Sequence, residues 1–149
     1  MTGATPEKQL RQHFPYVLEI ATRWSDFDML RHLNNVQYYR LFEYIILDNL
    51  ANIGTDWIRD QVIPLTVESS CNFRKPIAVA RTIDAGLRVT HIGNSSVRYE
   101  IGLFEKGREL PSAFGYFVHV YLDRDTEIST AVPESIRHKL GEITVEGLD

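Results

Sequence analysis

Residues 36–53, reading VQYYRLFEYIILDNLANI, contain neither proline nor glycine. They are long enough for four or more helical turns. At about 100° per residue the apolar side chains fall on nearly every side of such a helix. Gln37, Arg40 and Asp48 share its one polar face, and Leu41 and Tyr44 dilute even that. A helix apolar almost all round is expected to be buried. Gly54 supplies its C-terminal stop. Little besides strands is available to bury it. PYVLEIATRWSD, from Pro15, reads as a first strand. After Ile63, PLTVESSCNF alternates Leu65, Val67, Cys71 and Phe73 against Thr66, Glu68, Ser70 and Asn72. TIDAGLRVTHI and SVRYEIGLF follow, divided by the turn IGNSS. A turn at Lys106-Gly107 leads to a long last strand, LPSAFGYFVHVYLD. Pro133 opens a short C-terminal helix, PESIRHKLGEI, with proline at the favourable first helical position. The fold class expected is α+β, in the order β-α-β-β-β-β plus a short helix. One small flat sheet cannot bury such a helix, so the sheet is expected to twist and curl around it. The doubly apolar late strands predict that a second subunit covers an edge or face, giving a homodimer or homotetramer.

A chain of 149 residues suits one domain with a real core. Residues 1–14 are polar and expected to be flexible, leaving 15–149 as the single folded domain. Hydrophobic residues at 44% and charged residues at 24% are ordinary for a globular protein. The net charge of −4 and the lack of a separate basic segment argue against nucleic acid as a partner. The lone Cys71 permits no intrachain disulfide and fits a cytoplasmic protein. No apolar run resembles a leader or reaches the roughly 20 residues of a membrane span.

Between the first strand and the helix stands TRWSDFDMLRHLNN, which crowds Asp26, Asp28, His32, Asn34 and Asn35 together. One reading is structural. Asn34 or Asn35 caps the helix, and the aspartates sit near its positive end. The other reading is chemical. A helix N-terminus presents unpaired amides, which suit the oxyanion formed in acyl transfer. An aspartate just upstream supplies a nucleophile or a base for water. The loop therefore has the parts for ester or thioester hydrolysis, although spacing alone does not bring them together.

DFDMLRHLNNVQYYRLFE closely resembles the signature of hot-dog-fold thioesterases of the 4-hydroxybenzoyl-CoA thioesterase-like group. Asp26, Asp28, His32, Asn34, Asn35, Tyr38 and Glu43 stand in matching order. The resemblance extends along nearly the whole chain, through the basic-Pro turn Asn72-Phe73-Arg74-Lys75-Pro76 and the hairpin RVTHIGNSSVRYEI. In one place the chain departs from the pattern. Arg31 replaces the usual glycine before the histidine. A glycine there serves a positive φ or close approach of substrate; Arg31 either changes the loop or adds a cation at the pocket mouth. Leu30 stands where plant acyl-carrier-protein thioesterases carry an asparagine.

The resemblance implies a hot-dog fold and an acyl-CoA thioester hydrolase, releasing a carboxylic acid and a free thiol. It implies Asp28 as nucleophile or general base, with His32 and the helix residue Glu43 as further catalytic candidates. The backbone N–H at or just beyond Asn35 is the candidate oxyanion donor, with Asn34 beside it. Tyr38, Leu41 and Phe42 are expected to shape the acyl site, and Arg74 and Lys75 to meet substrate phosphates, with Arg81, Arg88 and Arg98 as further cations. Asp26 reads as structural and Cys71 as a core residue. Glu43 lies on an apolar flank, so it is expected to be buried with a partner or to face a second subunit. No cofactor or metal is expected, coenzyme A being part of the substrate. The alternatives are acyl-carrier-protein thioesters as substrates, a hot-dog hydratase or dehydratase, or a non-catalytic acyl-thioester-binding module.

Overall fold

The computed structural model describes residues 6–146. Its elements are β1 (Tyr16–Ala21), α1 (Asn35–Asn52), β2 (Val62–Phe73), β3 (Thr82–Ile92), β4 (Ser96–Phe104), β5 (Ala113–Asp123) and α2 (Glu134–Gly141). The strands form one antiparallel sheet in the order β1-β3-β4-β5-β2. β1 and β2 are consecutive in sequence yet stand at opposite edges. The chain between them must cross the sheet, and α1 makes that crossing over its inner face. Tyr38, Leu41, Phe42, Ile45, Ile46 and Leu50 of α1 are buried there against Ile83, Leu87, Val89, Tyr99, Ile101 and Phe117. Burying each such side chain contributes about 1.5–3 kcal/mol. Pro133 stands as the N-cap of α2, so the helix begins at Glu134, one position later than expected. Ile136 and Leu140 of α2 close the end of the core.

The helix is not buried all round. Val36 is 71% exposed, and Tyr39, Tyr44 and Leu47 are exposed as well. Glu43 is also exposed, with no ion pair among the described residues, so of its two expected settings burial against a partner within the chain is not found, and facing a second subunit is the one left. The reason is geometric: one sheet covers one side of a helix, and nothing else among the described residues covers the other.

β2 also departs from simple alternation. Its register with β5 slips between Thr66 and Glu68. A bulge adds a residue and reverses which side chains face inward. Phe73 therefore packs edge-on against Tyr38, with ring centroids 4.8 Å apart, while Leu65 pairs with Val120 on the outer face. Val67 is 60% exposed at the slip.

Of the segment expected to be flexible, residues 1–5 lie outside the described residues, and the rest folds onto the outer face of the sheet. Gly86 and Gly102 are paired across β3 and β4, and a Cβ at Gly86 would lie 2.7 Å from the Phe14 ring. The two glycines thus leave a slot that Phe14 fills. Arg88, fully buried, lies 4.5 Å from that ring, pairs with Glu100 at 2.8 Å, and donates to the carbonyls of Lys8 and His13. A buried guanidinium with its donors matched is tolerated.

Candidate active site

The loop between β1 and α1 is built around Asp26. Its carboxylate is fully buried. It accepts from the Arg23 amide at 2.8 Å and from the Arg23 guanidinium at 2.9 and 3.0 Å, and Arg40 of α1 lies 3.0 Å away. Burial pushes its pKa up, but the Arg23 hydrogen bonds and the charges of Arg40 and Arg23 outweigh burial and hold it below the ordinary aspartate value. Its carbonyl accepts from the Asn34 amide at 2.9 Å, tying the loop to the start of α1. The structural role expected of Asp26 is the one it has.

Asp28 opens a tight turn. The Arg31 amide donates to its carbonyl at 2.9 Å, and Arg31 takes φ 61°. The arginine therefore adopts the positive φ that a glycine would take easily, and the turn is closed all the same. Oδ1 of Asp28 accepts from the amides of Leu30 at 2.9 Å and His32 at 3.4 Å. Oδ2 has no protein partner among the described residues. The carboxylate is thus held by two amides and left with one oxygen to spare. It meets the backbone of His32, not the ring; His32 itself is half-buried and bridged to Ala78.

Asn34 is the helix cap, its side chain accepting from the Val36 amide at 3.1 Å. The Gln37 amide donates to the Asn34 carbonyl. The amides of Leu30 to Asn34 are likewise engaged. From Leu30 to Gln37, the Asn35 amide alone has no acceptor among the described residues. An unpaired donor at the positive end of an 18-residue helix is suited to negative charge. The amide just beyond it, on Val36, is taken by the cap.

Asp28 lines a cleft of about 880 Å³, with Thr22, Arg23, Trp24, Phe27, Met29, Arg31, Val79, Ala80 and Arg81. Trp24 and Met29 stand almost wholly free, 94% and 99% exposed. The residues expected around the acyl group lie elsewhere. Tyr38, Leu41 and Phe42 are buried in the core between α1 and the sheet. The Tyr38 hydroxyl accepts from the Ile77 amide at 3.4 Å, and burial raises its pKa. Lys75 pairs with Glu105 at 2.7 Å, and Arg74 is exposed outside the cleft. The cleft's cations are Arg23, Arg31 and Arg81. Two of them sit next to the aspartate motif in sequence, which was the one signal for them; the third is brought there by the chain from Ile77 to Arg81. Cys71 is half-buried on the helix-facing side of β2, and burial pushes its thiol up to about 12, as suits an inert residue. Among the described residues no group of three His, Cys, Asp or Glu side chains could hold a metal ion. None of the described helices is long and apolar enough to cross a membrane.

A family model of the thioesterase-like superfamily matches residues 22–140. The crystal structure of the PA5185 protein from Pseudomonas aeruginosa is similar with a TM-score of 0.87 and 39% identity, covering 91% of this chain and 95% of that one. The PA2801 protein of the same species gives 0.77 and 25%, over 84% and 97% of the two chains. A Thermus thermophilus thioesterase in complex with coenzyme A and zinc gives 0.73 and 25%, over 87% and 94%. No curated protein matches the chain. Since the family match runs from Thr22, ahead of the Asp28 turn, into α2, the chain belongs to the thioesterase-like superfamily and is an enzyme of that kind, a thioesterase with the hot-dog fold.

Proposed function

We propose that the protein hydrolyses acyl-CoA thioesters, with Asp28 as the reacting carboxylate and the Asn35 amide as oxyanion donor. The observation that carries this reading is the state of Asp28: Oδ1 pinned by two amides, Oδ2 unpartnered, at the wall of a cleft of about 880 Å³. A carboxylate oxygen with no partner can act on a thioester carbonyl or on water. Two routes use it. As a nucleophile, Oδ2 attacks the thioester carbonyl; the C–S bond breaks, the thiolate leaves, and water cleaves the resulting anhydride. As a base, it takes a proton from water, whose oxygen attacks the carbonyl and expels the thiolate. In both, negative charge develops on the carbonyl oxygen, and a preorganised amide stabilises it more than the ground state. Coenzyme A as the leaving group is supported by the Thermus thermophilus thioesterase that binds it.

We further propose that the working form is a homodimer or larger homo-oligomer. The exposed stripe Val36, Tyr39, Glu43 and Leu47 supports this, as does the bare edge of β2. Glu43 would then face a neighbouring subunit.

The test is thiol release from a panel of acyl-CoA esters, wild type beside Asp28→Asn. Hydrolysis by wild type with a loss of about 100-fold or more in the variant is expected, the cost of removing an essential base or nucleophile. Equal turnover by the variant would move the catalytic role to Glu43. No thiol release from any ester would end the hydrolysis reading.

A further inference from the structure

The Asp28 cleft carries more positive charge than its surroundings explain. The chain as a whole is acidic, with net charge −4. The cleft is lined by three arginines and a single acid, Asp28. Arg23 is neutralised by its ion pair with Asp26. Arg31 and Arg81 are not: neither guanidinium has a carboxylate or a hydrogen-bond acceptor among the described residues. Unpaired cations against apolar walls such as Trp24 and Val79 concentrate field in the cleft and attract an anion.

The backbone holds these two arginines together by design of the chain path. The Val79 amide donates to the Arg31 carbonyl at 3.2 Å, and His32 is bridged to Ala78. The Thr22 amide donates to the Arg81 carbonyl at 2.9 Å. The Asp28 turn and the segment leading into β3 are therefore stitched into one wall. Arg31 also holds φ 61°, a conformation unfavourable for any side chain with a Cβ. Strain of this kind persists where something else requires the residue.

We propose that Arg31 and Arg81 form an anion subsite in the cleft, which selects thioester substrates bearing a negative group. This rests on the thioesterase reading of the same cleft. The anion recognised is a phosphate or a carboxylate, both of which an arginine fork holds with paired N–H donors. On a thioester substrate it has two sources, the coenzyme's phosphates or a carboxylate at the far end of the acyl group.

Amide analogues of the thioester, which cannot be hydrolysed, test this by calorimetry. The probes are butyramide analogues of butyryl-CoA and of butyryl-pantetheine, and the succinyl-pantetheine analogue. The first and third carry an anion that the second lacks. Wild type should bind at least one anionic probe about 10-fold or more tighter than the neutral one, the advantage shrinking with added salt. Preference for the CoA analogue assigns the phosphate; preference for the succinyl analogue assigns the acyl carboxylate. The double variant Arg31→Gly/Arg81→Gln should lose most of that advantage, and Arg31→Lys alone should keep more of it than Arg31→Gly alone. Glycine accepts the positive φ, so the melting temperature of Arg31→Gly should match or exceed that of wild type, which separates lost charge from lost fold. An advantage that survives in the double variant, or no advantage for either anion in wild type, overturns the subsite. A wild type that binds anions selectively yet releases no thiol from acyl-CoA esters would sink the hydrolysis reading alone.

Discussion

His119 on β5 shows how a single residue ties stability to pH. It is almost wholly buried, its ring lies 5.2 Å from that of Tyr99, and its Nδ1 has no hydrogen-bond partner among the described residues. Burial disfavours the charged form and lowers its pKa from 6.5 to about 4. Between those values the unfolded chain binds a proton that the folded chain refuses. Stability must then rise with pH across the window and fall as pH drops from about 6.5 toward 4. The loss from this one group is about 3 kcal/mol by pH 4. Urea unfolding at pH 7.5, 5.5 and 4.5 should show that slope in wild type and a flatter one in His119→Phe. Equal slopes would remove His119 as the cause. At this scale the sequence was partly legible. The Asp28 turn and the Asn34 cap were legible because both depend on neighbours in the chain, namely turn amides and a helix start. Leu41 and Phe42, expected near the acyl group, are buried in the core here, because whether an apolar helix residue meets substrate or core depends on which side the sheet covers. Arg81 was one cation among several because its place in the cleft is made by a long-range backbone bond.

At the scale of elements, the order and type of strands and helices followed from periodicity, and the exceptions have local causes. The alternation in β2 holds on either side of Thr66/Glu68 but not across it, since a bulge has no signal in hydrophobic spacing. The N-terminal segment read as loose because its composition is polar, while what orders it is a slot in two distant strands. Gly86 and Gly102 face each other across β3 and β4 and admit Phe14. Phe14 also meets Phe104 and Phe114 edge-on, with centroids 5.7 and 6.3 Å away. Phe14→Ala should therefore cost about 3 kcal/mol or more, the usual price of emptying a buried aromatic site. The same change should bare the backbone amides of residues 8–14 to hydrogen exchange. A shift in the urea midpoint smaller than that of an exposed Ala substitution would show that the segment contributes nothing to the fold.

The molecule as a whole presents two incomplete surfaces. β2 is a 12-residue edge strand that Pro64, Glu68 and the Thr66/Glu68 bulge interrupt only in part, leaving Leu65, Val67 and Phe73 exposed. Monomeric proteins shield such edges with charge, proline or short length, because an open edge pairs with another chain. The uncovered face of α1 adds Val36, Tyr39 and Leu47 at helical spacing. Ring contacts of Tyr38 with Phe73 and of Tyr39 with Phe117 place the first turns of α1 over β5 and β2, so the helix face and the strand edge adjoin. Adjoining apolar surfaces of this kind support the proposed self-association. A second copy is the simplest cover, since a two-fold axis lets the same edge and the same helix face complete each other. Sedimentation velocity at micromolar concentration should give twice or four times the chain mass of 17.2 kDa. Leu65→Lys combined with Tyr39→Lys should shift the protein to the mass of one chain. If Glu43 works across the interface, thiol release should fall with the mass, and at low concentration wild type should lose specific activity on dilution. A wild type that sediments as one chain at every concentration would mean that the exposed helix face has no partner of its own kind, and that Glu43 has no second site to serve.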